Sequence, residues 1–292
     1  MITDSISQKI SDIMLAVGAK ARLRYVLDPL LKITPERLQR SIRASIHKAK
    51  VRRGYNTPLV PEKELEERYR LALWELSTQY EGGSLGDYLE FGVCHGRSIK
   101  SMYRALCDLE LESIRLFGFD SFEGLPETAK FDDNGIWKPG DYESDFELTK
   151  KRLTQAQVDW SRLVLVKGWF SDTLTDHLIQ EHHIQKASLI MIDCDMYLSA
   201  KEALNFCAPL IQDHALIFFD DWYAYQGRLA KHNMGESRAF HEFLDENPEL
   251  TAEERPEYKY CDNAVVFMVR RGVTGAIGVF VTVGRLAEII SL

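Results

Sequence analysis

From Gly86 onward the chain alternates short apolar runs with longer amphipathic segments. The runs are DYLEFGV (87–93), RLFGFDSF (115–122), LVLVKGWF (163–170), SLIMIDCD (188–195) and ALIFFDDW (215–222), with YKYCDNAVVFMVRR (258–271) read as a final hairpin pair. Between them, RSIKSMYRALCDLE sets Ile99, Met102, Tyr103 and Leu106 on one helical face, and SAKEALNFCAPLI is a second amphipathic segment. Alternation of this kind predicts an α/β fold: a doubly wound, mostly parallel sheet, seven-stranded once the hairpin pair is added, with helices on both faces.

Upstream the pattern is helical. Thr34, Pro35 and Glu36 make a helix start, with an N-cap hydroxyl, a proline where no N–H is needed and an acid at the positive end of the dipole; Leu38, Ile42 and Ile46 then share a face. RGYNTPLVP reads as a loop, and EKELEERYRLALWELSTQY as a second amphipathic helix. These features predict a helical N-terminal extension over residues 1–83, serving as a lid or an oligomer contact, a core over 84–271 and an apolar tail over 272–292.

In an open parallel sheet, ligands bind beyond the carboxyl ends of the strands, where the strand order reverses. The polar residues of this chain collect at those ends: Glu90, Asp120, Lys167, the pair Asp193 and Asp195, and the pair Asp220 and Asp221. EFGVCHGRS places Gly92 and Gly96 in the turn between the first core strand and the next helix, where a tight turn and free helix N–H groups suit a ligand. The spacing is GxxxG, so the GxGxxG pyrophosphate cradle of a dinucleotide site is not matched. Asp120, about 28 residues beyond Gly92, stands where an acid accepts hydrogen bonds from ribose hydroxyls. Asp193 and Asp195 share one side if the strand stays extended, and a neighbouring strand about 4.8 Å away would bring Asp220 and Asp221 beside them. Carboxylates that close repel one another unless protonated or bound to a cation, and oxygen-only ligands suit Mg²⁺ or Ca²⁺. For His95, His182, His183 and His232 a solvent-facing ring is the expectation, while Trp137, Tyr142, Trp169, Trp222 and Tyr223 follow strand ends and suit either an aromatic wall or ordinary packing.

Charge changes the picture at one place only. The net charge of −8 gives no reason to expect nucleic acid, yet Lys20 to Arg53 holds 11 basic residues against Asp28 and Glu36, a solvated basic face ahead of a site for an anionic partner or membrane headgroups. The five cysteines are scattered without metal-ligand spacing, which fits reduced thiols and a cytoplasmic setting. The first twenty residues lack the basic start and apolar stretch of a signal peptide, and Arg285 and Glu288 interrupt the apolar tail, which argues against a membrane span and for a packing or self-association segment.

YLEFGVCHGRSIKSM, LFGFDSFEGLPE, VKGWFSDTL, IMIDCDMYLSAKEAL and IFFDDWYA together resemble, in order, the blocks of the macrocin O-methyltransferase family, over roughly residues 84–270. Members of that family are class I S-adenosylmethionine-dependent enzymes that methylate sugar hydroxyls of natural products. The resemblance implies a Rossmann-like class I methyltransferase sheet and a divalent metal, usually Mg²⁺. It implies that Glu90, Gly92 and Ser98 lie along the methionine part of the cofactor, that Asp120 holds the ribose, and that Ser121, Phe122, Lys167, Gly168 and Trp169 surround the adenine. It further implies Asp193, Asp220 and Asp221 as metal ligands and Asp195 as general base. Where family members often carry Trp-Arg-Gly-Gly, this chain has Cys94, His95, Gly96 and Arg97. The expected partner is a small-molecule or glycan acceptor with neighbouring hydroxyls.

A metal clamp plus a base gives four acids at two strand ends a purpose in methyl transfer to an alcohol. Two other readings use the same residues: a metal-dependent phosphate-ester hydrolase, and a non-catalytic module that binds S-adenosylmethionine. Tight binding of S-adenosylhomocysteine separates the first of these from a methyltransferase.

Overall fold

The computed structural model describes residues 60–79, 85–224 and 234–272, all within the unit Val60–Leu292. The expectations placed on Thr34 to Arg53, on His232 and on the apolar tail lie outside these residues.

Helix α1 (Glu62–Gln79) opens this part, followed by β1 (Asp87–Phe91), α2 (Arg97–Asp108), β2 (Leu116–Asp120), α3 (Phe146–Gln155), β3 (Leu163–Lys167), α4 (Phe170–Thr173), α5 (Asp176–Glu181), β4 (Ala187–Ile192), α6 (Tyr197–Cys207), β5 (His214–Phe219), α7 (Gly235–Glu246), β6 (Leu250–Glu254) and β7 (Val265–Arg271). The strands form one seven-stranded sheet in the order β3-β2-β1-β4-β5-β7-β6. β1 to β5 pair in parallel, while β7 is antiparallel to both β5 and β6. The expected doubly wound, mostly parallel sheet is therefore present, and its order reverses between β1 and β4, the position at which such sheets bind ligands.

Both faces of the sheet are covered, which is why the central strands read as unbroken apolar runs rather than alternating ones. Along β5, Ala215, Ile217 and Phe219 enter one core with α5, α6 and α7, and Leu216 and Phe218 enter the other with α1, α2 and α3. Helix α1 joins this second core through Leu65, Tyr69, Ala72, Leu73 and Leu76, spaced at helical period along one side. Each fully buried large side chain contributes about 1.5–3 kcal/mol of transfer free energy. No helix among the described residues is long and apolar enough to cross a membrane.

The final hairpin differs from expectation. Its first strand is β6 at Leu250–Glu254, whereas Pro256–Tyr258 forms a short 3₁₀ turn. β6 lies at the sheet edge, with Leu250 buried and the next four residues exposed. Charged edge positions discourage pairing with another chain, and they also remove the apolar signature by which a strand is recognised.

Candidate active site

The carboxyl ends of β1, β2, β3, β4 and β5 gather at one edge of the sheet, and the sequence-predicted residues lie there. The turn after β1 is built around Gly92, whose φ is +99°. A Cβ at this position would stand 1.7 Å from the carbonyl oxygen of Asp193, so no other residue fits. Gly92 thus makes the tight turn expected of it, and the approach of the β4 end adds a second reason for glycine there. The Asp193 N–H donates to the Phe91 carbonyl at 2.9 Å, locking the glycine turn to the first of the acids.

Glu90 is fully buried, accepting hydrogen bonds from the Ser98 hydroxyl and the Tyr88 phenol, each at 2.6 Å. Burial raises its carboxyl to about 8, against the lowering influence of those two donors. The folded state therefore holds this proton more tightly than the unfolded chain. The stabilisation is complete below the ordinary glutamate value of 4.5 and is lost as pH rises to about 8, at roughly 1 kcal/mol per pH unit. Glu90→Gln should abolish that slope: urea unfolding at pH 5 and pH 8, without cofactor, should show the variant gaining a few kcal/mol relative to the unaltered chain at the higher pH. Parallel behaviour of the two proteins would contradict the assignment.

Asp120 ends β2 and closes the glycine turn. One oxygen accepts the Cys94 N–H at 2.7 Å and the other the Phe122 N–H at 2.6 Å, and the Val93 N–H bonds the same carboxylate. Burial raises this carboxyl while the backbone donors oppose the shift. Ser121 donates to the Gly124 carbonyl at 3.0 Å, and Phe122, at φ +59°, packs edge-on against Phe146. At the end of β3, the exposed Lys167 ammonium lies 6.0 Å from the Phe146 ring centre, Gly168 donates to the Asp120 carbonyl at 3.0 Å, and the half-buried Trp169 precedes α4. These residues form one contiguous rim across β1, β2 and β3.

Asp193, Asp220 and Asp221 offer one carboxylate oxygen each within 4.8 Å of one another. Asp220 continues the β4–β5 pairing by donating its N–H to the Ile192 carbonyl at 3.0 Å, and its side chain accepts the Tyr260 hydroxyl at 2.8 Å. Burial raises all three, and Asp220 and Asp221 further raise Asp193, so the cluster repels its own ionisation. Hard oxygen donors, mutual repulsion and shared geometry fit a divalent cation.

Asp195 joins the cluster by another route than strand alternation. β4 ends at Ile192, and Asp195 sits in the left-handed region at φ +62°, which redirects its side chain toward Asp221, with which it is hydrogen-bonded. Burial, then Asp221, raise Asp195 well above the usual carboxylate range. A short polar side chain that tolerates this backbone is what such a turn needs.

One neighbour, Glu236, had no sequence signal, and the aromatic and histidine candidates take varied places. Glu236, in the first turn of α7, is fully buried; one of its oxygens accepts the Asp221 N–H at 3.0 Å, and the other has no hydrogen-bond partner among the described residues. Tyr142 (φ +63°) lies in the long segment between β2 and α3, paired with Trp137 at 6.1 Å between ring centres. The residue is 55% exposed, and partial burial of its phenol, then Asp195 and Asp221, raise it, which sets it near those acids. His95 departs from the expected solvent-facing ring. Its Nδ1 is buried without a partner among the described residues, and burial, with Arg152 and Arg97, lowers the ring to about 4. Trp222, by contrast, packs in the core against Phe219, Phe240 and Phe267.

The fold is shared with solved methyltransferases. The structure of the O-methyltransferase NovP superposes with a TM-score of 0.57 at 18% identity, covering 72% of this chain and 80% of NovP. The calicheamicin methyltransferase CalS11 gives 0.54 at 20% identity, covering 85% and 90%. A curated relative from Streptomyces olivaceus, 8-demethyl-8-(2,3-dimethoxy-alpha-L-rhamnosyl)-tetracenomycin-C 4'-O-methyltransferase, is 26% identical over 168 residues, which span 54% of this chain and 61% of that protein. A model of the macrocin-O-methyltransferase (TylF) family matches residues 32–246, in agreement with the sheet order and with the blocks that carried the resemblance. The chain belongs to the macrocin-O-methyltransferase family.

Proposed function

We propose that this protein is an S-adenosylmethionine-dependent, Mg²⁺-dependent O-methyltransferase acting on a hydroxyl of a sugar or other vicinal diol, with Asp195 as general base. The observation that carries the reading is the triad Asp193, Asp220 and Asp221, set beside the glycine turn and hydrogen-bonded through Asp221 to a fourth acid. Family membership and the rhamnosyl 4'-O-methyltransferase relative support a sugar acceptor.

In this reading Glu90, Gly92 and Ser98 line the methionine end of the cofactor, Asp120 accepts from the ribose hydroxyls, and Ser121, Phe122, Lys167, Gly168 and Trp169 surround the adenine. Asp193, Asp220 and Asp221 hold the cation. When bound, Mg²⁺ supplies Lewis-acid polarisation of an acceptor hydroxyl, and S-adenosylmethionine supplies the methyl group. Tyr260 holds one Asp220 oxygen in place, which reduces the rearrangement needed on binding. Asp195 takes the proton of the attacking hydroxyl as the new O–CH₃ bond forms and the S–CH₃ bond breaks, leaving the neutral thioether S-adenosylhomocysteine. Tyr142 and Trp137 border this place and offer aromatic faces to an acceptor ring.

The test is an assay of S-adenosylhomocysteine release with S-adenosylmethionine and a panel of rhamnosides and catechols, run with Mg²⁺ and with EDTA. Turnover that EDTA abolishes is expected. Release of phosphate from p-nitrophenyl phosphate, with no turnover of S-adenosylmethionine, would favour the hydrolase reading instead.

A further inference from the structure

The segment between β2 and α3 does more than border the site. Asp132 and Asp133, in a 3₁₀ turn of this segment, are both buried although nothing in their charge favours burial. Asp132 accepts the Leu198 N–H at 2.8 Å. One oxygen of Asp133 accepts the Tyr197 N–H at 3.0 Å, and the other accepts the Gly235 N–H at 2.8 Å. A single carboxylate thus joins the first turns of α6 and α7, two helices far apart in sequence. Asp133 adopts φ +47° to do so, in a region where aspartate is tolerated better than most residues.

What these two donors adjoin gives the contact its meaning. Tyr197 lies two residues beyond Asp195, so the bond to its N–H anchors the turn that aims that acid. Gly235 precedes Glu236, whose carboxylate holds the N–H of Asp221 at 3.0 Å. The turn that carries Asp195 is therefore tied directly, and Asp221 through the Glu236 side chain, to one carboxylate on the loop that also carries Trp137 and Tyr142. Glu236 keeps a second, buried oxygen without a partner among the described residues.

We propose that Asp133 is a positioning residue that couples the 121–145 segment between β2 and α3 to the cation triad, so that order in this segment and divalent-cation binding favour each other. The proposal rests on the triad's holding a cation, as proposed above. Coupling of this kind is reciprocal: if the clasp improves cation affinity, the cation stabilises the clasp by the same factor.

Mn²⁺ alone is the probe, its free concentration followed by electron paramagnetic resonance. Asp133→Asn keeps one acceptor oxygen and sets an amide N–H against the other donor; Asp133→Ala removes both bonds. Mn²⁺ affinity should fall at least about fivefold in Asp133→Asn and further in Asp133→Ala, with S-adenosylhomocysteine affinity unchanged. A lowered melting temperature with unchanged Mn²⁺ affinity would make Asp133 purely structural and overturn the proposal. Hydrogen exchange on the unaltered chain removes any dependence on the variants folding: saturating Mn²⁺ should slow exchange at the Tyr197 and Gly235 amides at least about fivefold. Unchanged exchange there with Mn²⁺ bound would also overturn it. Failure of the unaltered chain to bind Mn²⁺ at all would instead remove the cation reading, and this coupling with it.

Discussion

Asp193→Asn should lower methyl transfer on the order of 10²–10³-fold while leaving S-adenosylhomocysteine binding nearly unchanged. The Asp193 carboxylate is one of three whose oxygens lie within 4.8 Å of one another, and an amide in its place keeps the shape while removing a negative charge from the cation's surroundings. Its backbone contacts survive, since the N–H bond to Phe91 and the close carbonyl approach to Gly92 involve no side-chain atom. The rim on β1, β2 and β3 proposed to hold the cofactor should therefore stay intact. The variant should also lose most of its response to added Mg²⁺, and relieving the mutual repulsion of the acids should raise its melting temperature in EDTA. Unchanged turnover, or turnover indifferent to EDTA in the unaltered chain, would remove the metal role.

Asp195→Asn should act on a different quantity. Loss of a general base costs typically 10²–10⁴-fold in rate. Asp195 is outside the triad and hydrogen-bonded to Asp221, so Mg²⁺ and cofactor affinities should change far less than kcat. Asparagine also tolerates the left-handed backbone that Asp195 adopts at φ +62°, so the turn should survive. The pH profile separates base from scaffold. In the unaltered chain, turnover should rise with pH as the base loses its proton, and the variant's residual turnover should lack that limb. A variant whose rate falls but whose profile keeps the same shape would place the base elsewhere.

The central strands were legible because burial on both faces writes an apolar run into the sequence, and their terminal acids stood out against those runs. β6 was not legible, since at the sheet edge only Leu250 needs to be apolar. Asp195 was identified for the wrong geometric reason: strand alternation would have placed it beside Asp193, whereas a left-handed turn places it beside Asp221. Gly92 was legible as a turn glycine, but the crossing Asp193 carbonyl that also excludes a side chain there was not. Glu236 and Asp133 gave no signal at all. They lie in a helix first turn and a 3₁₀ turn, where an exposed acid is the ordinary case, and only tertiary pairing, of Glu236 with Asp221 and of Asp133 with segments more than 60 residues away, brings out their burial. The roles assigned to Glu90, Asp120 and the aspartates remain proposals supported by this placement.

The measurement that bears most directly on the central claim is calorimetric titration of the purified chain with S-adenosylhomocysteine, with and without Mg²⁺, repeated on Asp120→Ala. Micromolar binding to the unaltered chain, weakened at least about tenfold in Asp120→Ala by loss of the ribose acceptor and of the bond that closes the glycine turn, is the predicted result. No binding under either condition would contradict the methyltransferase account.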